Sequence, residues 1–366
     1  MLVSKTKAQD QFASSQSGVF WGGPDRPSRC LRDLLEERIL AVPSGGEILW
    51  VTYYFRDEAL AKALLQARSR GVTVRVAIEG NPRTGTVNSG VCKLLGDNGG
   101  LGRGLRIIRH RLVDNRFFRT SRLHEKLYYF SHPEPSVLVG TFNPSGNRPE
   151  DPDIIRNIGD QDRGHNLLVD ITDPVLVEGL HGHAQHLFKA HHGPWERYLP
   201  INNRTVSAGK TKVLFFPRSK RTDLDELFTG LNPGNSLRMA ISHLNDRRMC
   251  RRLFALAGQG VTIEILAHDT KRRVPSWVER EMKKNGIRFL RYLHPEGLPM
   301  HNKFMLFEIG EETTLAFGSM NLSTRSLHAN HELLVISNDQ ELVRHFCRRW
   351  DEMRREIDSF RTAFNS

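Results

Sequence analysis

Cysteine is scarce in this sequence: Cys30, Cys92, Cys250 and Cys347 stand alone along 366 residues. No Cys-x-x-Cys pair exists among them, which excludes a zinc knuckle and a dithiol redox motif and predicts reduced, mostly buried thiols. Long apolar runs are missing too. Nothing approaches the roughly 18 uninterrupted apolar residues of a membrane span, and the mean hydropathy of −0.45 is that of an ordinary soluble chain. Met1 to Ser17 is polar and rich in Ser and Gln, without the apolar stretch of a secretory signal. The sequence therefore predicts a flexible leader over 1–20 and a cytoplasmic protein. The Gly-rich Gly96–Gly104 stretch lacks Gly-Lys-Ser and opens no helix, so it reads as a flexible connector and not as a nucleotide-binding loop. His181, His183, His186, His191 and His192 crowd one segment, but no Cys or carboxylate stands at ligand spacing. Neither a metal nor another cofactor is predicted.

Positive charge is in excess. Lys plus Arg number 53 against 41 Asp plus Glu, a formal net charge of +12. Such a surface suits polyanions, either nucleic acid or an acidic membrane face, with solubility alone as the plainer reading. One basic stretch is interleaved with aromatics: Arg111, Arg116, Phe117, Phe118, Arg119 and Arg122. It has the composition to grip phosphates and stack a base, and equally that of a solvated loop. Arg218-Ser219-Lys220-Arg221 and Lys271-Arg272-Arg273 are further clusters, each read as a loop.

The chain repeats itself. Gly-Val-Thr-Val at Gly71–Val74 returns as Gly-Val-Thr-Ile at Gly260–Ile263, an offset of 189 residues, and the same offset carries Ile48, Trp50 and Thr52 onto Leu237, Met239 and Ile241. Helical periodicity follows in each copy, through Ala59, Leu60, Ala63, Leu64 and Ala67 and through Met249, Leu253, Phe254 and Ala257. Each pattern stops at a glycine suited to a left-handed cap, and a β-branched strand follows. A strand, a helix and a strand in that order predict parallel pairing with a right-handed crossover. Further strands are predicted at Leu105–Ile108 and Ile287–Leu290. Two α/β copies of about 180 residues describe the chain, over 21–205 and 206–366, with Gly193–Lys212 as the linker. An amphipathic helix over Glu341–Ile357 carries Leu342, Phe346 and Trp350 on one face.

Chemistry recurs at matched places in the two copies. His124-Glu125-Lys126 is followed by Gly140-Thr141-Phe142-Asn143, and His301-Asn302-Lys303 by Gly318-Ser319-Met320-Asn321; His and Asn are 19 residues apart in one set and 20 in the other. In a strand, residues i and i+2 face one side, so each His projects with its Lys. One such pair is an uninformative strand face; two in order, inside a duplication, are not.

These residues carry a resemblance: the sequence is similar to the phospholipase D superfamily, whose signature, H-x-K-x4-D followed by G-[ST]-x-N, occurs twice. The similarity runs from about Gly46 to Trp350. It implies an α/β fold of two pseudo-symmetric halves, each a mixed sheet flanked by helices, sharing one cleft. The motif aspartate is replaced by Ser131 and Glu308, which puts local geometry near the site in question but leaves both His-Lys-Asn sets intact. By resemblance, Lys126, Lys303, Asn143 and Asn321 neutralise phosphate oxygens, Thr141 and Ser319 add hydroxyl contacts or order the turn, and no metal is needed. One histidine attacks phosphorus and the other is the general acid and base.

The copies differ after the second Asn. Aligning the Leu-Leu-Val strands sets Asn166 opposite Glu332, and in the family this position reaches across the cleft to the histidine of the other half. Carried over, Glu332 holds His124, which becomes the nucleophile, and Asn166 faces His301, the acid and base; a surface charge at a strand start is the plainer reading of Glu332. Pro144–Arg163 makes the first copy 12 residues longer than the second here, with an offset of 23 from Asn143 to Asn166 against 11 from Asn321 to Glu332, and is expected to form a lid. The expected activity is a metal-independent phosphodiesterase, a nuclease acting on nucleic acid with DNA favoured. A phospholipase or phosphatidyltransferase acting on phospholipid is the alternative, although Val91–Leu95 is too short for an interfacial apolar loop. A binding protein without catalysis fits poorly with two intact motifs. No motif encodes an oligomeric state.

Overall fold

A computed structural model describes residues 18–110, 121–146, 152–190, 199–218 and 222–365. The first half contains β1 (Val19–Gly22), α1 (Cys30–Ala41), β2 (Glu47–Thr52), α2 (Glu58–Ser69), β3 (Thr73–Glu79), α3 (Ser89–Gly96), β4 (Leu105–Ile108), β5 (Lys126–Phe130), β6 (Ser136–Gly140), α4 (Pro152–Ile158), β7 (Asn166–Ile171) and α5 (Pro174–Lys189). The second contains β8 (Val206–Ala208), β9 (Thr211–Phe216), α6 (Thr222–Thr229), β10 (Ser236–Ile241), α7 (Arg247–Gly258), β11 (Thr262–His268), α8 (Ser276–Lys284), β12 (Arg288–Tyr292), β13 (Lys303–Ile309), β14 (Glu312–Gly318), α9 (Thr324–His328), β15 (Glu332–Ser337) and α10 (Gln340–Asn365).

The repeat is visible in local chemistry. Asp57 caps α2 by accepting the Leu60 N–H at 2.9 Å, and Asp246, 189 residues on, caps α7 by accepting those of Arg248 and Met249 at 3.1 and 2.9 Å. Gly71 and Gly260 close these helices at φ 93° and 95°, where a side chain would be strained. The strands that follow pair in parallel in the same register, Ile48 with Val74 and Leu237 with Ile263.

Each half thus builds one mixed sheet, in the orders β1-β7-β6-β5-β2-β3-β4 and β12-β11-β10-β13-β14-β15-β9-β8. Side chains alternate across them. Ile48 and Trp50 enter a core under α1, α2 and α3, whereas Leu49 and Val51 face the centre of the molecule. The second sheet does likewise, with Leu237 and Met239 under α6, α7 and α8 and Phe304 and Leu306 facing inward. The central core joins inward residues of both sheets to Leu180 of α5 and to Phe346 and Trp350 of α10. The layers are therefore helices, sheet, a middle with α5 and α10, sheet, helices.

Four local expectations change. Val19 and Phe20, inside the segment assigned to a leader, belong to β1 and pair with Val169 and Leu168; Met1–Ser17 lies outside the described residues. The stretch read as linker ends in β8 and the start of β9, short strands whose polar residues show no period. The connector at Gly96–Gly104 is held by hydrogen bonds from the Leu101 N–H to the Leu95 carbonyl (2.8 Å) and from Gly104 to Leu101 (2.9 Å). Ser131 and Glu308 stand at the ends of β5 and β13 away from the lysines, about 16 Å along the strand. There Ser131 accepts the Glu47 N–H at 2.7 Å and Glu308 pairs with Arg238, so the departures from the motif do not shape the site. No helix among the described residues is long and apolar enough to cross a membrane.

Trp350 is 2% exposed in the core common to both sheets. Trp350→Ala is expected to cost about 3–5 kcal/mol in a single cooperative transition; differential scanning calorimetry that resolved one unaffected half would contradict the common core.

Candidate active site

The motif glycines are a matter of space. A Cβ on Gly140 would lie 2.3 Å from the Leu167 carbonyl oxygen, and one on Gly318 would lie 2.3 Å from that of Leu333. This close crossing lets Thr141 and Ser319 bond the neighbouring strand through their backbone N–H groups, at 2.9 and 3.1 Å. Their hydroxyls then meet the side chains that open β7 and β15: Thr141 donates to Asn166 Oδ1 at 3.1 Å and Ser319 to Glu332 Oε2 at 2.6 Å.

The two halves meet backbone to backbone at the histidines. The His124 N–H donates to the His331 carbonyl (2.9 Å), and that of His331 to Arg122 (2.9 Å). On the other side of the pseudo-twofold, His301 donates to His165 (3.0 Å) and His165 to Pro299 (3.0 Å). Each catalytic-motif strand is thereby registered against the opposite half, and the side chains follow. His124 Nδ1 lies 2.8 Å from Glu332 Oε2, and His301 Nδ1 lies 2.7 Å from Asn166 Oδ1. Asn166 donates its amide to the Gln161 carbonyl at 2.7 Å, so its oxygen faces His301. Both imidazoles therefore carry the proton on Nδ1, leaving Nε2 as a lone pair.

Lys126 and Lys303 are buried below the histidines, each donating to the carbonyl of its own His, at 2.5 and 2.6 Å. An ammonium has three N–H groups and this contact uses one. Asn143 and Asn321 accept the backbone N–H groups of Tyr54 (3.2 Å) and His243 (3.1 Å), and Asn143 donates to Gln161 at 2.7 Å.

Burial governs the charges. It pulls the His124 imidazole down to about 4 despite Glu332, and it lowers His301 well below the usual histidine range with Lys303 and Arg273 adding to the effect. The Lys126 ammonium falls to about 7, and Lys303 well below its ordinary value, both by burial. For Glu332 burial works the other way, but His124, Lys126 and the Ser319 hydroxyl outweigh it and keep the carboxyl ionised. Both imidazoles are thus neutral, one on a carboxylate and one on an amide.

His124, His301, Asn143 and Asn321 line one cleft of about 340 Å³. Lys126, Lys303 and Glu332 lie buried behind them. The cleft also takes side chains that sequence reasoning assigned to no site: Tyr53, Tyr54 and Arg83 after β2 and β3, and His243, Arg272 and Arg273 after β10 and β11. The 189-residue offset could have found them, because it sets Tyr54 on His243 and Arg83 on Arg272. Lys271-Arg272-Arg273, read as an uninformative loop, sends Arg273 into the cleft wall. Ile158 and Gln161 of the insertion expected as a lid line the wall as well; residues 147–151 lie outside the described set. Of the basic stretch before His124, Arg122 reaches the cleft, and 111–120 are likewise outside the description, as are Ser219, Lys220 and Arg221. The histidine run has carboxylate partners after all, supplied from far along the chain: His183 pairs with Glu125 at 3.0 Å and His181 with Glu47 at 3.4 Å. His191 and His192 are not described, and no group of three or more metal-ligating side chains occurs among the described residues.

Two His-Lys-Asn sets brought from facing halves into one cleft define a two-motif phosphodiesterase. The family model described as "Cardiolipin synthase, PLD-like domain" matches residues 43–148 and 231–354. The chain belongs to this phospholipase D-like family and is a phosphodiesterase of that superfamily. It is 27% identical over 177 residues to a mitochondrial cardiolipin hydrolase of Danio rerio, covering 42% of this chain and 76% of the relative. Its fold is similar to that of phosphatidylserine synthase from Haemophilus influenzae, at a TM-score of 0.65 and 12% identity, over 93% of this chain and 86% of the other. It is also similar to polyphosphate kinase from Porphyromonas gingivalis, at 0.59 and 13%, over 92% of this chain, which spans half the length of that enzyme.

In the unliganded protein, ring NMR of His124 is expected to show a titration midpoint near 4. A midpoint at 6.5 would contradict the desolvation that lowers this imidazole.

Proposed function

We propose that the protein is a metal-independent nuclease that cleaves nucleic-acid phosphodiesters, DNA above all, through a phosphohistidine on His124. His124 Nε2 attacks phosphorus, the bond to the leaving oxygen breaks, and that oxygen takes a proton from His301. Water then gives a proton to His301 and its oxygen to phosphorus as the P–N bond breaks, restoring His124. The attacking imidazole becomes cationic while its Nδ1 proton stays in place. A carboxylate at 2.8 Å stabilises that cation, and the amide beside His301 cannot do so to the same degree. His301, neutral in the empty cleft, gains its proton when a phosphodiester anion enters. Lys126 and Lys303 supply the positive charge that a metal ion supplies elsewhere, and Asn143 and Asn321 add amide donors.

The nucleic-acid reading is carried by five arginines, Arg83, Arg122, Arg272, Arg273 and Arg325, that line the cleft together with Tyr53 and Tyr54. Guanidinium groups and aromatic rings grip phosphates and bases, and the large exposed hydrophobic residues, such as Leu40, Val175 and Ile201, are not among the lining side chains. A phospholipid substrate is the second reading, favoured by the similarity to a cardiolipin hydrolase. Labelled single- and double-stranded DNA and RNA, with phospholipid vesicles in parallel, all in EDTA, separate the two. Turnover of nucleic acid is the expected result and turnover of lipid alone the contrary one.

The division of labour has its own test. p-Nitrophenolate leaves without protonation, so His301→Ala is expected to release one equivalent from bis(p-nitrophenyl) phosphate in a burst and then stall, while His124→Ala releases none. The reverse pattern would exchange the roles. For the wild type, kcat/KM reports the free enzyme. On bis(p-nitrophenyl) phosphate, whose first departure needs no proton from His301, it is expected to rise with pH through about 4 as His124 loses its proton, and to fall through about 7 as Lys126 loses its charge. A profile flat across neutrality would contradict the role given to Lys126.

A further inference from the structure

Beyond the two His-Lys-Asn sets the cleft is not symmetric, and the difference is one of charge. The 189-residue offset continues through the loops after β2 and β3, setting Tyr53 on Ser242, Tyr54 on His243, Arg83 on Arg272 and Thr84 on Arg273. The first-half wall presents Arg83, Arg122 and two tyrosine rings 4.2 Å apart, and the Tyr53 ring meets His124 edge-on at 4.9 Å. On the opposite wall stand His243, Arg272 and Arg273. β10 runs antiparallel to β13 with Ile241 opposite Lys303. His243 follows two residues on, its N–H donates to Asn321 Oδ1 at 3.1 Å, and Arg273 lies near enough to His301 to lower its imidazole, so this wall belongs to His301.

Arg273 has the marks of a group awaiting a partner. It is 5% exposed, and it is fixed by donating to Ser242 Oγ at 3.1 Å and to the Ile158 carbonyl at 2.9 Å. Its Nε is buried without a hydrogen-bond partner among the described residues. Burial, with Arg272 and Arg83 close by, lowers its guanidinium to about 9. A buried cation beside like charges is costly unless an anion meets it. Thr84, at the matching place in the first half, carries no charge.

Nucleophile and leaving oxygen lie on opposite sides of phosphorus in an in-line displacement. With His124 attacking from the tyrosine side, the leaving group departs toward His301 and the arginine wall. We infer that His243, Arg272 and Arg273 form a subsite for a second phosphate carried by the leaving group, so that the preferred substrate is a phosphodiester whose departing alcohol is itself phosphorylated, as at each internal linkage of a nucleic-acid strand. This rests on the phosphodiesterase reading with His124 as nucleophile. The retained group then sits against Tyr53 and Tyr54.

The test compares kcat/KM in EDTA for bis(p-nitrophenyl) phosphate and for three thymidine dinucleotides: one without terminal phosphate, one with a 5′-phosphate and one with a 3′-phosphate. The wild type is expected to favour one of the two phosphorylated dinucleotides over the bare one by about tenfold or more, the effect of a charge-assisted contact. Arg272→Ala and Arg273→Gln are expected to bring that ratio toward one, and Arg103→Ala, exposed and outside the cleft, to keep it. The ratio is taken within each variant, so a lower absolute rate does not mask it, and Arg272 is exposed, so its replacement spares the fold. Equal rates on bare and phosphorylated dinucleotides, or an unchanged ratio in both variants, would overturn the subsite alone. No hydrolysis of any of the four compounds or of lipid would overturn the phosphodiesterase reading and the subsite with it. Turnover of cardiolipin vesicles in preference to phosphatidylglycerol vesicles, without dinucleotide turnover, would keep the subsite and move its ligand from nucleic acid to lipid.

Discussion

The site depends on contacts that neither half can make alone. His124 stands two residues before β5 of the first sheet, yet its backbone N–H is held by His331 and its ring by Glu332, 208 residues away. The same arrangement, turned about the pseudo-twofold, fixes His301 on His165 and Asn166. Two backbone bridges, Leu123 with His331 and His165 with Met300, thus set the relative position of the two imidazoles. The core around α5 and α10 supports those bridges by joining the inward faces of both sheets. Preorganisation here is a property of the whole chain, and a reacting group placed between the halves meets donors that need no rearrangement.

Within this near-symmetric frame, function follows from the places where symmetry fails. A carboxylate replaces an amide behind one histidine, which under the proposed mechanism separates a nucleophile from an acid although the two rings have the same tautomer. A buried guanidinium replaces a threonine on one wall, and tyrosines replace Ser242 and His243 on the other. Each difference is a single side chain. Duplication supplied the scaffold, and the chemistry needs the copies to be unlike.

Much of this was legible beforehand because it is local or periodic. The βαβ units announced themselves through the Gly-Val-Thr repeat, and the motifs through their matched spacing. Alignment of the Leu-Leu-Val strands was enough to set Glu332 opposite Asn166, because β7 and β15 are equivalent strands. What escaped was non-periodic or tertiary. β8 is three residues long and carries no pattern. His183 finds Glu125, and Arg273 finds the Ile158 carbonyl, through contacts between segments far apart in the chain. Tyr53 and His243 lie in loops with no motif of their own, and only the offset, followed past the strand ends, would have brought them into the cleft. Ser131 and Glu308 misled in the other direction: a departure from the signature looked close to the chemistry, but a strand carries it away at more than 3 Å per residue.

The central claim is that the partner behind each imidazole decides which one attacks. The most direct measurement is to quench a labelled phosphodiester on the protein and locate the phosphoryl group by mass spectrometry, in the wild type and in a variant that exchanges the partners, Glu332→Asn with Asn166→Glu. The label is expected on His124 in the wild type and on His301 after the exchange. A label that stays on His124 in the exchanged protein, or that sits on His301 from the start, would contradict it.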